Sequence, residues 1–198
     1  MRLFLVRHGE THANVARQLD TAPPGADLTE AGHEQAAALV ERLEGEDLGA
    51  IYVSDLPRTH QTAAPLAAAL GLEVVVLPGL REIQAGDHEM STEWRPFVDA
   101  VLRWREDPDH QIPGGDSGSA FMQRYDDAIR TIAADGHASA VAFSHGAAMR
   151  VWVANACRLG PDFMEQRHVG NAHVITLEGD PESGWRLLAW GDEPVTHG

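Results

Sequence analysis

Short apolar runs alternate along this chain with apolar residues at helical spacing, and this alternation constrains the fold more than any other feature. Leu3-Phe4-Leu5-Val6 is a continuous apolar run closed by a Gly turn, as expected of a strand buried on both faces. Ala36, Leu39, Val40 and Leu43 then mark one face of a helix that begins near Thr29. Ile51 to Val53 is a second strand; Ala63, Leu66, Ala67 and Leu70 repeat the stripe until Gly71 stops it. Val74 to Leu77 is a β-branched third strand. Glu93 to Glu106, and the stretch carrying Phe121, Tyr125, Ala128, Ile129 and Ile132, read as helices. Ala140 to Phe143 is a strand that runs through Ser144-His145-Gly146 into a helix ending at Ala156. Val174 to Leu177 and Trp185 to Ala189 finish as strands across the turn-rich Asp180–Gly184. The order predicts an α/β protein with a mostly parallel sheet covered by helices on both faces.

At 198 residues the chain suits a single domain over 1–198, and no repeat, low-complexity tract or linker divides it. It carries 15 basic against 30 acidic residues, for a net charge of −15, and none of the basic residues is Lys. An acidic surface opposes nucleic-acid binding and attraction to anionic membranes. The lone Cys157 forms no internal disulfide, and its apolar neighbours Val153, Ala154 and Ala156 make it a core residue rather than a nucleophile. No segment approaches the roughly 18 apolar residues of a membrane helix, and the first apolar run is too short for a signal peptide. The expected location is the cytoplasm.

In an open parallel sheet, ligands bind beyond the carboxyl ends of the strands. Two strands here end in His-Gly: Arg7-His8-Gly9 and Ser144-His145-Gly146. A third leads to Ser54-Asp55-Leu56-Pro57-Arg58 and a fourth to Arg81-Glu82. Each piece alone has an ordinary reading, as a hydrogen-bonded His, a surface Arg or a solvated carboxylate. Together, in an acidic protein, Arg7, His8, Arg58 and His145 at one edge would repel one another unless an anion neutralised them. A phosphoryl group fits best, since Arg offers forked donors to its oxygens and His can donate or attack. The Pro- and Gly-rich loops Thr21–Ala26 and His110–Gly118 are expected at the substrate rim.

Leu5-Val6-Arg7-His8-Gly9-Glu10-Thr11 resembles the Arg-His-Gly signature of the histidine phosphatase superfamily, the phosphoglycerate mutase-like proteins. Ser54–Ala63 resembles its second arginine segment and Leu80-Arg81-Glu82-Ile83 its acid-bearing loop. Gly114-Gly115-Asp116-Ser117, Ser144-His145-Gly146 and Gly170-Asn171-Ala172 follow in the family's order. The resemblance covers almost the whole chain. It implies a three-layer α/β/α sandwich and a phosphatase that hydrolyses a small phosphorylated metabolite through a phosphohistidine on His8, with no metal or other cofactor. Arg7, Arg58 and His145 would hold the phosphoryl oxygens, with Gly146 alongside, and Asn14 and Thr11 would add donors. Glu82 would protonate the leaving oxygen and then activate water. It must begin protonated, so a desolvated setting is expected around it, and with it a mildly acidic optimum. His8 must be neutral, with a carbonyl fixing its other nitrogen. A homodimer is compatible with the family; the chain itself leaves its oligomeric state open.

Some positions depart from the family pattern. Asp116 stands where Glu is usual, His60 where a small or basic residue is frequent and His173 where a small one is usual, and Gly86-Asp87-His88-Glu89 lacks the aromatic that commonly follows the loop glycine. These leave the substrate open but not the reaction class. A 2,3-bisphosphoglycerate-dependent mutase is the first alternative; it needs further cations, yet Asp87–Asp109 offers only Arg95, Arg103 and Arg105 among seven acids. A phosphate-binding module without turnover is the second. Metal-dependent hydrolysis lacks its motifs: there is no His-Glu-x-x-His and no Cys pair. Nucleotide-dependent transfer lacks its own, since no Walker loop occurs.

Overall fold

Every side chain from Leu3 to Val6 is buried because helices cover both faces of this strand. Leu3 and Leu5 pack with Phe121, Tyr125, Ile129, Met149 and Trp152 on one side. Phe4 and Val6 pack with Leu39, Ala63 and Leu66 on the other. Burying each large apolar side chain contributes about 1.5–3 kcal/mol, so the two faces together hold the sandwich closed.

The computed structural model describes residues 1–160, 163 and 167–195. Its strands are β1 (Arg2–Arg7), β2 (Ala50–Val53), β3 (Val74–Val76), β4 (Ser139–Ser144), β5 (Val174–Asp180), β6 (Gly184–Trp190) and β7 (Glu193–Pro194). They form one sheet in the order β3-β2-β4-β1-β5-β6-β7. The helices that matter to the site are α1 (His12–Val15), α2 (Glu30–Arg42), α3 (Pro57–Leu70), α4 (Arg95–Arg103), α5 (Gly118–Ala134) and α6 (Gly146–Ala156).

β3, β2, β4 and β1 are parallel, as the alternation of strands and helices requires. β5, β6 and β7 extend the sheet antiparallel, so the whole sheet is mixed. Asp180 to Gly184 is a tight hairpin, which returns β6 antiparallel to β5, whereas parallel pairing needs a crossover helix. The helix ends follow the sequence signals. Thr29 caps α2 by accepting from the Gly32 amide at 3.0 Å, and Gly71 ends α3 at φ 65°. α4 is shorter than the expected Glu93–Glu106, with Pro96 in its first turn. Among the described residues no helix is long and apolar enough to cross a membrane.

Candidate active site

Val53, Phe143 and Val6 occupy one row across β2, β4 and β1, so the chain leaves three adjacent strands at the same edge. The residues that follow are brought together there. The His8 and His145 rings lie 5.2 Å apart, and the His8 amide donates to Ser144 O at 3.1 Å. Arg58, at the start of α3, is 1% exposed and reaches His145 Nδ1 through Nε at 3.3 Å. Arg7, His8, Arg58, Glu82, Asn14 and Gly146 all line one cavity of about 300 Å³. That volume is at the small end for ligand pockets and suits a small ester.

His8 is fixed by its own turn. Its Nδ1 lies 2.7 Å from Gly9 O, and a carbonyl can only accept, so Nδ1 carries the proton and Nε2 keeps its lone pair. Burial, followed by the Arg58 and Arg7 cations, holds the ring well below the ordinary imidazole value, so it is neutral. The turn needs glycine. A Cβ at Gly9 would stand 2.6 Å from Gly32 O on α2.

His145 is equally buried and likewise neutral, owing to burial, Arg58, His8 and Arg7 in that order. Its Nε2 meets Ser54 Oγ at 2.9 Å. The two guanidiniums are held differently. Arg7 Nη1 donates to Val169 O at 2.7 Å and its Nε is buried without a partner. Arg58 Nη2 donates to Asp20 O at 2.8 Å, and Nη1 is 3.4 Å from the Asp20 carboxylate. Gly25, at φ 71°, lets the rim loop cross this guanidinium; a Cβ there would collide with Arg58 Nη1.

Glu82 differs from expectation. Instead of an apolar, desolvated setting, it has three backbone donors: Ala148 and Ile83 N–H on Oε1 at 2.7 and 2.9 Å, and Ala147 N–H on Oε2 at 3.0 Å. Two of these come from the N-terminus of α6, a location that suits a carboxylate. Oε1 is saturated. Oε2 has one donor and keeps a site for a proton.

Asn14 lines the cavity, and its Oδ1 accepts from the Thr11 amide at 3.1 Å and from Asn171 Nδ2 at 2.9 Å, leaving its amide N–H groups as the donors. Asn171 therefore orients Asn14. Thr11 is not among the residues lining the cavity: it is 1% exposed and its hydroxyl caps α1 by accepting from the Asn14 amide. Asp116 braces the acid loop, accepting from the Gln84 amide at 3.0 Å and pairing with Arg124 at 2.9 Å, while Arg124 also donates to Glu82 O. His60, His88 and His173 do not line the cavity. His173 packs instead against Trp190. Burial pushes the Cys157 thiol up to about 12, which keeps it protonated and unreactive. Among the described residues no three His, Cys, Asp or Glu converge as a metal site.

Residues that the sequence reading missed complete the site. Asp20 lines the cavity and pairs with Arg58, while Ser54 and the His145 ring it holds are fully buried and do not line it. Leu19, Trp94, Phe97 and Val98 supply apolar surface, and Arg150 and His168 add polar groups. Arg150 was legible in principle, because it stands at i+4 from Gly146 on the same helix. Asp20 carried no sequence signal, since it joins the site only through the fold of a loop.

Comparison with known proteins places the chain in a family. The family model of the histidine phosphatase superfamily (branch 1) matches residues 3–193. A PE-PGRS family protein of Mycobacterium tuberculosis is 35% identical over 96% of this chain, but the chain spans only 36% of that protein's length. The Proteus mirabilis "Probable phosphoglycerate mutase GpmB" is 31% identical over 100% of this chain and 94% of its own. Among solved structures, a mycobacterial glucosyl-3-phosphoglycerate phosphatase in complex with VO3 is 31% identical, covers 96% of this chain and 98% of its own, and has a TM-score of 0.81. The alpha-ribazole phosphatase of Shigella flexneri is 26% identical with full coverage of both chains and a TM-score of 0.79.

Proposed function

The chain belongs to the histidine phosphatase superfamily, and we propose that it hydrolyses small phosphomonoesters without a metal, through a phosphohistidine on His8. The observation that carries this reading is the Nδ1–Gly9 O bond of 2.7 Å, which leaves the Nε2 lone pair of a neutral ring facing a cavity with two guanidiniums. Nε2 attacks phosphorus, and the bond to the leaving oxygen breaks. That oxygen takes the proton from Glu82 Oε2. Water then attacks phosphorus, gives its proton back to Glu82, and the P–N bond breaks to release phosphate. Arg7, Arg58 and the Asn14 amide stabilise the charge on the phosphoryl oxygens throughout, so the charge a metal would neutralise is met by side chains.

The phosphatase names of two structural relatives support hydrolysis over isomerisation. So does charge. Arg95 and Arg103 pair with Asp99 and Asp107 along α4 and its end, and neither lines the cavity. A mutase would need such cations inward, to hold a second phosphate. The test is to incubate the protein with phosphorylated metabolites and follow free phosphate, alongside 3- to 2-phosphoglycerate conversion in the presence of 2,3-bisphosphoglycerate. Phosphate release with no conversion is expected. Rapid-quench mass spectrometry should trap the adduct on His8. Conversion without release would replace this reading with a mutase, and no turnover of p-nitrophenyl phosphate would leave only a binding module.

A further inference from the structure

Arg7 and Arg150 are the two described arginines whose Nε is buried without a partner, and of the two only Arg7 has another hydrogen bond, from Nη1 to Val169 O. Arg58, Arg81 and Arg124 each pair with an aspartate, as do several arginines on the surface. Arg150 makes no ion pair or hydrogen bond among the described residues, and its Nε is buried without a partner. Burial and the neighbouring Arg105 cation both disfavour its charge. A chain with 30 acidic residues places none of its described carboxylates against this guanidinium.

Its position gives the vacancy a meaning. Arg150 lines the same cavity as His8, one helical turn past Gly146 and so roughly 6 Å farther along α6. Gly146 itself backs onto Arg7, where a Cβ would meet Nε at 3.2 Å. The phosphoryl end and Arg150 therefore share one wall, with Leu19, Trp94, Phe97 and Val98 supplying the cavity's apolar surface.

We propose that Arg150 binds a carboxylate on the leaving group, so that the substrate is a small phosphomonoester whose alcohol carries a carboxylate on a partly apolar body. This rests on the phosphatase reading above and narrows it. A single planar guanidinium matches a carboxylate in forked geometry, whereas a second phosphate dianion needs more positive charge. The other ring nearby, His168, is held below the ordinary imidazole value by burial, Arg7 and Arg150, and does not provide it.

The test uses two matched pairs: 3-phosphoglycerate with glycerol 3-phosphate, and 3-carboxyphenyl phosphate with phenyl phosphate. Leaving-group acidity differs within each pair. The quantity read is therefore the ratio of kcat/KM, carboxylated over carboxylate-free, compared between wild type and Arg150→Met, in which that difference cancels. The ratio should fall about tenfold or more for at least one pair, with Arg150→Lys restoring part of it. An unchanged ratio for both pairs would overturn the inference while leaving the phosphatase intact. If wild type hydrolyses p-nitrophenyl phosphate but none of the four esters, this inference fails alone; if it hydrolyses none of the five, the phosphatase reading fails and takes this one with it. Should Arg150→Met lose its circular-dichroism signature, Arg150→Gln gives the same comparison.

Discussion

Ser54 Oγ and His145 Nε2 lie 2.9 Å apart in a fully buried setting, while Arg58 Nε reaches the opposite ring nitrogen at 3.3 Å. Arg58 N–H can donate to Nδ1 only if that nitrogen is bare, so Nε2 then donates to Ser54. Arg58 thus sets the tautomer, and Ser54 holds the ring in place by accepting from Nε2. Ser54→Ala should lower kcat on the order of ten- to a hundredfold with little change in KM. Unaltered kcat in a folded Ser54→Ala protein would show that the ring needs no such partner.

Removing the nucleophile tests the covalent step directly. His8→Ala should abolish turnover, and a residual rate near wild type is incompatible with a phosphohistidine. Glu82→Gln should be selective. It should slow alkyl phosphates by about 10²–10⁴ but p-nitrophenyl phosphate far less, because a good leaving group needs no proton. Equal losses on both esters would remove Glu82 as the acid.

Charge neutralisation by arginine predicts two further outcomes. Arg58→Ala should cost about 10²–10³ in kcat. Activity should also survive prolonged dialysis against EDTA; loss restored by a divalent ion would contradict the proposed mechanism.

The two buried imidazoles set a pH dependence whose sign follows from their depressed values. The unfolded chain binds their protons near the ordinary value of about 6.5, before the folded protein does. Stability from the neutral rings is therefore complete above about pH 6.5 and declines as pH falls toward the folded-state values, by up to about 1.4 kcal/mol per pH unit for each ring. Urea midpoints at pH 7 and 5 should show the decline, and His8→Asn/His145→Asn should flatten it. By the same logic, kcat/KM should not lose a limb near pH 6.5 through protonation of His8.

Gly9→Ala should destabilise the protein by about 1–3 kcal/mol, since the added methyl meets the Gly32 carbonyl, a backbone atom that cannot turn aside. A thermal midpoint equal to wild type would mean that α2 can retreat from β1.

The parallel half of the sheet and the meeting of Arg7, His8, Arg58 and His145 could be inferred from sequence because strand-terminal residues share an edge whatever the loops do. The antiparallel half was less legible. A run such as Val174–Leu177 has the same apolar signature in either direction, and its hairpin fixes only how β6 lies against β5. The setting of Glu82 was missed because its donors are backbone amides of Ala147 and Ala148, which no side-chain pattern reports. Thr11 sits beside the motif in sequence, yet helix capping turns its hydroxyl to Asn14. Asp20 and Trp94 enter through loop paths that local residues do not encode.

β1 is paired on both flanks, and its covering side chains are closed off from solvent. His8, the proposed nucleophile, thus follows directly on a strand held from both sides. Arg150, Trp94 and the crossing near Gly25 hang from segments at its periphery. Descendants of such a chain can trade one alcohol for another by altering those outlying positions, and the machinery that grips phosphorus need never be rebuilt.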